Sequence, residues 1–260
     1  MTQISIGLAG ATPAATIRAV ARAAENAGLR TLWLNETPGI DALSALAEAA
    51  AVTDRLRLGV GVIPLDRSPA DSIARRIERA GLPLDRLLLG VGSGGAPHAA
   101  AIVEAGVRAL REIVEAPIVV GGLGPRVRRV GAELADGVLL NWLPPSAAAE
   151  ARDEAIAQAE DAGRPRPLVA LYARTALDAA AHPVLLAEAE RYAAFPGYAA
   201  NFERFGQGPL DGSILATDGA GLRARSAEYE GAVDELVLRA VTVSDAADEI
   251  RRIIDAAVAP

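Results

Sequence analysis

The chain has 260 residues, of which 51% are hydrophobic and only 3% aromatic, and it carries a net charge of −7. It contains no cysteine and no lysine, which excludes disulfides, thiolate nucleophiles, cysteine-ligated metals and enzyme-bound Schiff bases. Its arginines are scattered over helix faces, so no concentrated positive groove for nucleic acid is expected, and no apolar run reaches the roughly 20 residues of a membrane-spanning helix.

Short apolar runs alternate with helical patterns from end to end. The run Ile4–Gly10 precedes a helix over Thr16–Gly28, where Ile17, Val20, Ala21 and Ala24 share one face at the spacing of 3.6 residues per turn. Thr31–Glu36 precedes a helix over Ala42–Thr53. Arg55–Leu65 precedes Pro69–Ala80, with Ile73, Ile77 and Ala80 facing inward. Asp85–Gly94 precedes Ala99–Val114. Pro117–Gly122 precedes Pro125–Ala135, where the proline suits a first helical turn because its missing N–H is not needed there. Gly137–Trp142 precedes Ala147–Ala162. The seventh strand is Pro167–Arg174. A long excursion, Thr175 to about Val233, follows; its first part reads as one or two helices and its second, around "QGPLDGSILATDGAG", as a loop. Asp234–Thr242 is the eighth strand and Ala246–Ala257 the last helix.

Eight strands alternating with eight helices predict parallel strands with helical crossovers in a single α/β domain. The length matches a (β/α)8 TIM barrel, with an open doubly wound sheet as the alternative. In a barrel the functional end is the C-terminal rim of the strands. Small or polar residues gather there: Asn35 and Glu36 after the second strand, Gly61, Val62 and Pro64 in the third, Gly92 and Ser93 in the fourth. Gly121, Gly122 and Gly124 close the fifth, Asn141 and Trp142 the sixth, Tyr172 and Arg174 the seventh, and Arg239 the eighth. Glycine at such ends lets a ligand approach backbone N–H groups, and the turn before Pro125 could cradle an anion at a helix N-terminus. Glu36 reads either as an acid/base or as a rim carboxylate. Arg239 pairs either with an anion or with a neighbouring carboxylate. "GVGSGG", Gly90–Gly95, has the spacing of a dinucleotide-binding turn, but the next strand ends without the required acid. His98 opens a helix in solvent, and His182 stands before Pro183 at a helix start.

The stretch "PIVVGGLGPRVRRVGAELADGVLLNWLPPS" resembles the luciferase-like monooxygenase superfamily, and is most similar to its coenzyme F420-dependent branch. "DALSALAEAAAVTDRLRLGVGVIPL", "RLLLGVGSG" and "DELVLRAVTVSDAADEIRRII" carry the resemblance over most of the chain. It implies a shortened barrel of this type holding coenzyme F420, or alternatively FMN, in its mouth. The activity implied is hydride transfer to or from a small organic substrate, or an FMN monooxygenase reaction; a barrel that only binds a ligand or partner is the remaining alternative. The resemblance implies a non-proline cis peptide at Gly61-Val62 supporting the ring, with Asn35 and Glu36 facing the reactive ring. It also implies Gly92, Ser93, Gly121, Gly122 and Gly124 near the ribityl and phosphate groups; Asn141, polar at a strand end, reads as a ligand contact and is grouped with them as cofactor-binding. Relatives acting on sugar phosphates carry His and Glu where Glu36 and Gly95 stand, which argues against that reaction. The resemblance also implies a homodimer, and a cytoplasmic location is expected because the opening residues lack a secretory pattern.

Overall fold

The computed structural model describes residues 1–259. Eight parallel strands close into a barrel: β1 (Gln3–Leu8), β2 (Thr31–Leu34), β3 (Arg57–Pro64), β4 (Leu87–Gly92), β5 (Ile118–Gly121), β6 (Gly137–Asn141), β7 (Leu168–Ala176) and β9 (Glu235–Ala240). The ring runs from β6 back through β1, on to β9 and β7, and is sealed by pairing of β6 with β7. The helices α1 (Ala14–Asn26), α2 (Ala42–Ala50), α3 (Ala70–Ala80), α4 (Ala99–Ile113), α5 (Pro125–Leu134), α6 (Pro145–Asp161) and α10 (Ala247–Val258) surround it. The expected TIM barrel is therefore present.

Two apolar layers follow from the alternation of side chains along each strand. Outward residues such as Ile6, Leu34, Val60, Leu89, Val120, Leu140 and Leu238 pack beneath the helices. Alanines at Ala147, Ala148, Ala151, Ala155 and Ala159 line the buried stripe of α6 and bring it close to the wall. Inward residues, among them Trp33, Leu88, Val119, Leu139, Ala170, Tyr172 and Val237, fill the lumen. Because both faces of each strand are buried, the strands read as continuous apolar runs. Trp33 plugs the lower lumen. Its Nε1 donates to Glu235 Oε1 at 2.7 Å, and Ser5 Oγ donates to the same oxygen at 2.6 Å.

The excursion between β7 and β9 differs from the expected helices followed by a loop. It carries α7 (His182–Ala193) and α8 (Pro196–Phe205), then a short strand β8 (Ser213–Leu215) and a helix α9 (Gly219–Ala227). β6 pairs with β7 as far as Tyr172, and β8 takes over along the same edge from Arg174 to Ala176. A strand of three residues is too short for a period to mark it. α9 is rich in glycine and alanine, and only its Asp218 N-cap, accepting from Gly221 N at 2.8 Å, is a local start signal. α2 stops at Ala50, short of Thr53, whose hydroxyl donates to the Ala49 carbonyl at 2.8 Å.

Candidate functional site

The C-terminal mouth of the barrel has two unlike sides. Along β3, β4 and β5 the lining is backbone and one valine. The Gly61-Val62 peptide is cis, and the register between β3 and β4 shifts across Val60 to Ile63, so the chain bulges inward here. A Cβ placed on Gly92 would lie 2.8 Å from Val62 Cγ2, and one on Gly121 would lie 2.7 Å from Val62 Cγ1. Val62 thus occupies the space that side chains at these two positions would need. A Cβ on Gly122 would lie 3.0 Å from Arg128 N at the start of α5, while one on Gly124 would meet nothing within 4 Å. Gly124 caps α5, Pro125 follows at its first position, and among the described residues the N–H groups of Leu123, Gly124 and Arg126 find no acceptor.

The opposite side, from β2 through β9 and β7 to β6, is polar. Asn35 donates from Nδ2 to the Gly61 carbonyl at 2.7 Å and accepts from Arg239 Nε at 2.9 Å. It ties the cis peptide to the buried arginine. Arg239 also donates to the Ala240 carbonyl; burial pulls its guanidinium below the usual value. Arg174 lies between the rings of Trp142 and Tyr192, its Cζ 4.5 and 4.9 Å from their centroids. It donates to Asn141 Oδ1 and, from Nε, to Glu188 Oε1 at 3.1 Å. Burial alone would raise the Glu188 carboxyl, but the charges of Arg174 and Arg239 outweigh it and hold the group below the ordinary range. Tyr172 is buried beside Gly61 and edge-on to Trp33, at 5.9 Å between centroids. Its hydroxyl has no hydrogen-bond partner among the described residues, and burial pushes its pKa far up.

Glu36 has its carboxylate turned away from the mouth. Arg76 Nη2 of α3 donates to Oε2 at 2.5 Å, and Ala42 N at the start of α2 donates to the same oxygen at 3.2 Å. Arg76 also bridges to Asp41, the α2 N-cap, at 2.6 Å. Ser93 is partly exposed at the rim, ahead of an exposed Gly94-Gly95 turn. Arg128, in the first turn of α5, is buried and does not face the rim. It turns inward, donating to the Leu123 carbonyl at 3.1 Å and to Glu154 at 3.2 Å.

The way these residues meet the excursion had no signal in the sequence. Asn141 Nδ2 donates to the Tyr198 hydroxyl at 3.1 Å, so α8 reaches over the mouth. Burial pushes the Tyr198 hydroxyl up to about 12. Trp142, just after β6, has a positive φ of 57° and packs with Ala189 and Phe202 as a small separate core. The aromatics of the excursion thus form a wall joined to the ends of β6 and β7.

A family model described as luciferase-like monooxygenase matches residues 1–116 and 99–259. No curated protein matches the chain. Similar solved structures include an F420-dependent secondary alcohol dehydrogenase in complex with an F420–acetone adduct, 15% identical over 98% of this chain and 99% of that one, with a TM-score of 0.72. The coenzyme F420-dependent tetrahydromethanopterin reductase of Methanopyrus kandleri is 18% identical over 97% of each chain, at 0.68. The oxygenating constituent of 3,6-diketocamphane monooxygenase from Pseudomonas putida, in complex with FMN, is 14% identical over 98% of this chain and 96% of that one, at 0.67. Identities this low speak to the fold alone.

Proposed function

This chain belongs to the luciferase-like monooxygenase family, and on that premise we propose that it is an oxidoreductase holding coenzyme F420 in the barrel mouth and acting on a small organic substrate. The observation that carries this reading is the split mouth. One side offers a flat, side-chain-poor surface over Val62, bounded by Gly92 and Gly121. The facing side is polar and carries hydrogen-bond donors, with the unpartnered Tyr172 hydroxyl buried at its base. A planar heteroaromatic ring with oxygen acceptors on its edge suits both. The free N–H groups at Leu123, Gly124 and Arg126 suit a phosphate tail at the α5 N-terminus.

In this reading Val62 supports one face of the ring and Asn35 fixes the Gly61-Val62 peptide beneath it. Glu36 positions Asn35 from behind, through Arg76 and α2. Asn141, held between Arg174 and Tyr198, sets the far edge. When bound, the deazaflavin supplies two-electron hydride chemistry, and the protein supplies orientation and electrostatics. The deazaflavin is favoured over FMN by the turn from Ser93 to His98, which joins β4 directly to α4 and leaves Gly94, Gly95 and His98 exposed. Oxygen activation by a reduced flavin depends on excluding water from reactive intermediates, and hydride transfer depends on this less.

Equilibrium dialysis against F420 and FMN in parallel tests the proposal. Saturable retention of F420, with FMN held at least about tenfold more weakly, is the expected result. Retention of FMN alone, with substrate-dependent oxygen uptake by its reduced form, moves the assignment to a monooxygenase. Retention of neither leaves the family and the fold and removes the cofactor assignment.

A further inference from the structure

Arg174 and Arg239 are register partners on the adjacent strands β7 and β9. Neighbouring strands lie about 4.8 Å apart, so two permanent positive charges rise side by side from one wall. Both are buried, at 2% and 8% exposure. Like charges opposite one another weaken a sheet, and buried charges call for partners. The partners present fall short. Arg174 uses Nε on Glu188 and Nη1 on Asn141; Arg239 uses Nε on Asn35 and Nη1 on the Ala240 carbonyl. Among the described residues neither Nη2 finds an acceptor. Glu188 is the one carboxylate paired to them, since Asp245, which also acts on Arg239, is exposed beyond the rim. Two residues before Arg174 on β7, the Tyr172 hydroxyl is likewise buried without a partner.

We infer that the β7–β9 wall of the mouth is an anion seat, and that the substrate is a small organic acid whose carboxylate is held by Arg174 and Arg239. Each arginine thus keeps a terminal nitrogen free to donate a charge-assisted hydrogen bond to a carboxylate oxygen. The rings of Tyr192 and Tyr198 beside Arg174 give the rest of the molecule an apolar surface. This seat lies across the mouth from Gly92, Gly121 and Gly124, so it does not compete with a phosphate tail there. The inference rests on the oxidoreductase reading for the word substrate, though not for the anion site itself.

Calorimetric titration of the cofactor-free protein with benzoate, benzamide and inorganic phosphate tests it, with the Arg239→Gln and Arg174→Lys variants alongside. Benzoate is expected to bind saturably and at least about tenfold more tightly than benzamide, which has the same shape without the charge. Arg239→Gln is expected to weaken benzoate about tenfold or more. Arg174→Lys, which keeps the charge and loses the fork, is expected to weaken it several-fold with the fold intact by circular dichroism. Equal binding of benzoate and benzamide, or variants that bind as the parent does, overturns the seat. Phosphate that displaces benzoate and binds more tightly overturns the carboxylate assignment. Dialysis against F420 and FMN on the same samples separates the two proposals. Cofactor retained without benzoate sinks this inference alone, and benzoate retained without either cofactor sinks the cofactor reading alone.

Discussion

Gly121 and Gly124 lie three residues apart and owe their identity to different neighbours. Gly121 is small because Val62 fills its side-chain space, whereas Gly124, at φ −90°, faces open space. Gly121→Ala is therefore expected to displace Val62, lowering stability by about 1–3 kcal/mol and weakening cofactor retention with it. Gly124→Ala should leave stability within about 0.5 kcal/mol. A roughly tenfold loss of cofactor affinity in that variant would mark the tail's path; unchanged affinity would remove Gly124 from the site. Glu36 and Arg76 form another such pair. Replacing Arg76 with Met strands a nearly buried carboxylate and is expected to cost about 3 kcal/mol in chemical denaturation, more than Glu36→Gln does. If Glu36→Gln instead abolishes turnover at unchanged stability and unchanged cofactor affinity, Glu36 acts on the reacting atoms and is not a positioning residue.

At the scale of elements, the barrel strands were legible because each is a buried apolar run with glycine or polar residues in or near its C-terminal end, and such runs leave a local mark. The rim residues were legible as a set for the same reason. Their pairings were not. Tyr198 meets Asn141 across 57 residues and Arg76 meets Glu36 across 40, and contacts at that separation have no period to reveal them. β8 was missed because its identity as a strand comes from the β7 edge vacated by β6, not from its own three residues. The α7–α8 pair stands largely on the Trp142, Ala189 and Phe202 cluster, with Leu185 in another small cluster and Phe205 against the main core. Phe202→Ala should therefore loosen this pair locally. Removing the ring is expected to lower its opening free energy by roughly 3 kcal/mol. Hydrogen exchange should quicken in residues 182–206 while β1 to β5 keep their protection. Uniform loss across the molecule would mean that the excursion and the barrel unfold as one.

For the whole molecule, the depressed carboxyl of Glu188 sets part of the acid response. Its pKa is about 4.3 in the unfolded chain and lower in the native one. Below about pH 5 the unfolded state takes up this proton first, so the stability it contributes at neutral pH is lost as pH falls through the native pKa. Glu188→Gln should flatten denaturation midpoints measured between about pH 5 and pH 3. A midpoint curve as steep as the parent's would show that Arg174 and Arg239 do not act on Glu188 as their geometry requires. The same wall has an optical consequence. The chain has two indoles: Trp33 lies deep in the lumen, hydrogen-bonded to Glu235, and Trp142 lies against the Arg174 guanidinium. Only the second shares a boundary with the mouth, so the protein carries one emitter that senses occupancy and one that senses integrity. Anion binding should shift the intensity of the parent and leave Trp142→Phe dark to it, while unfolding moves the emission of both.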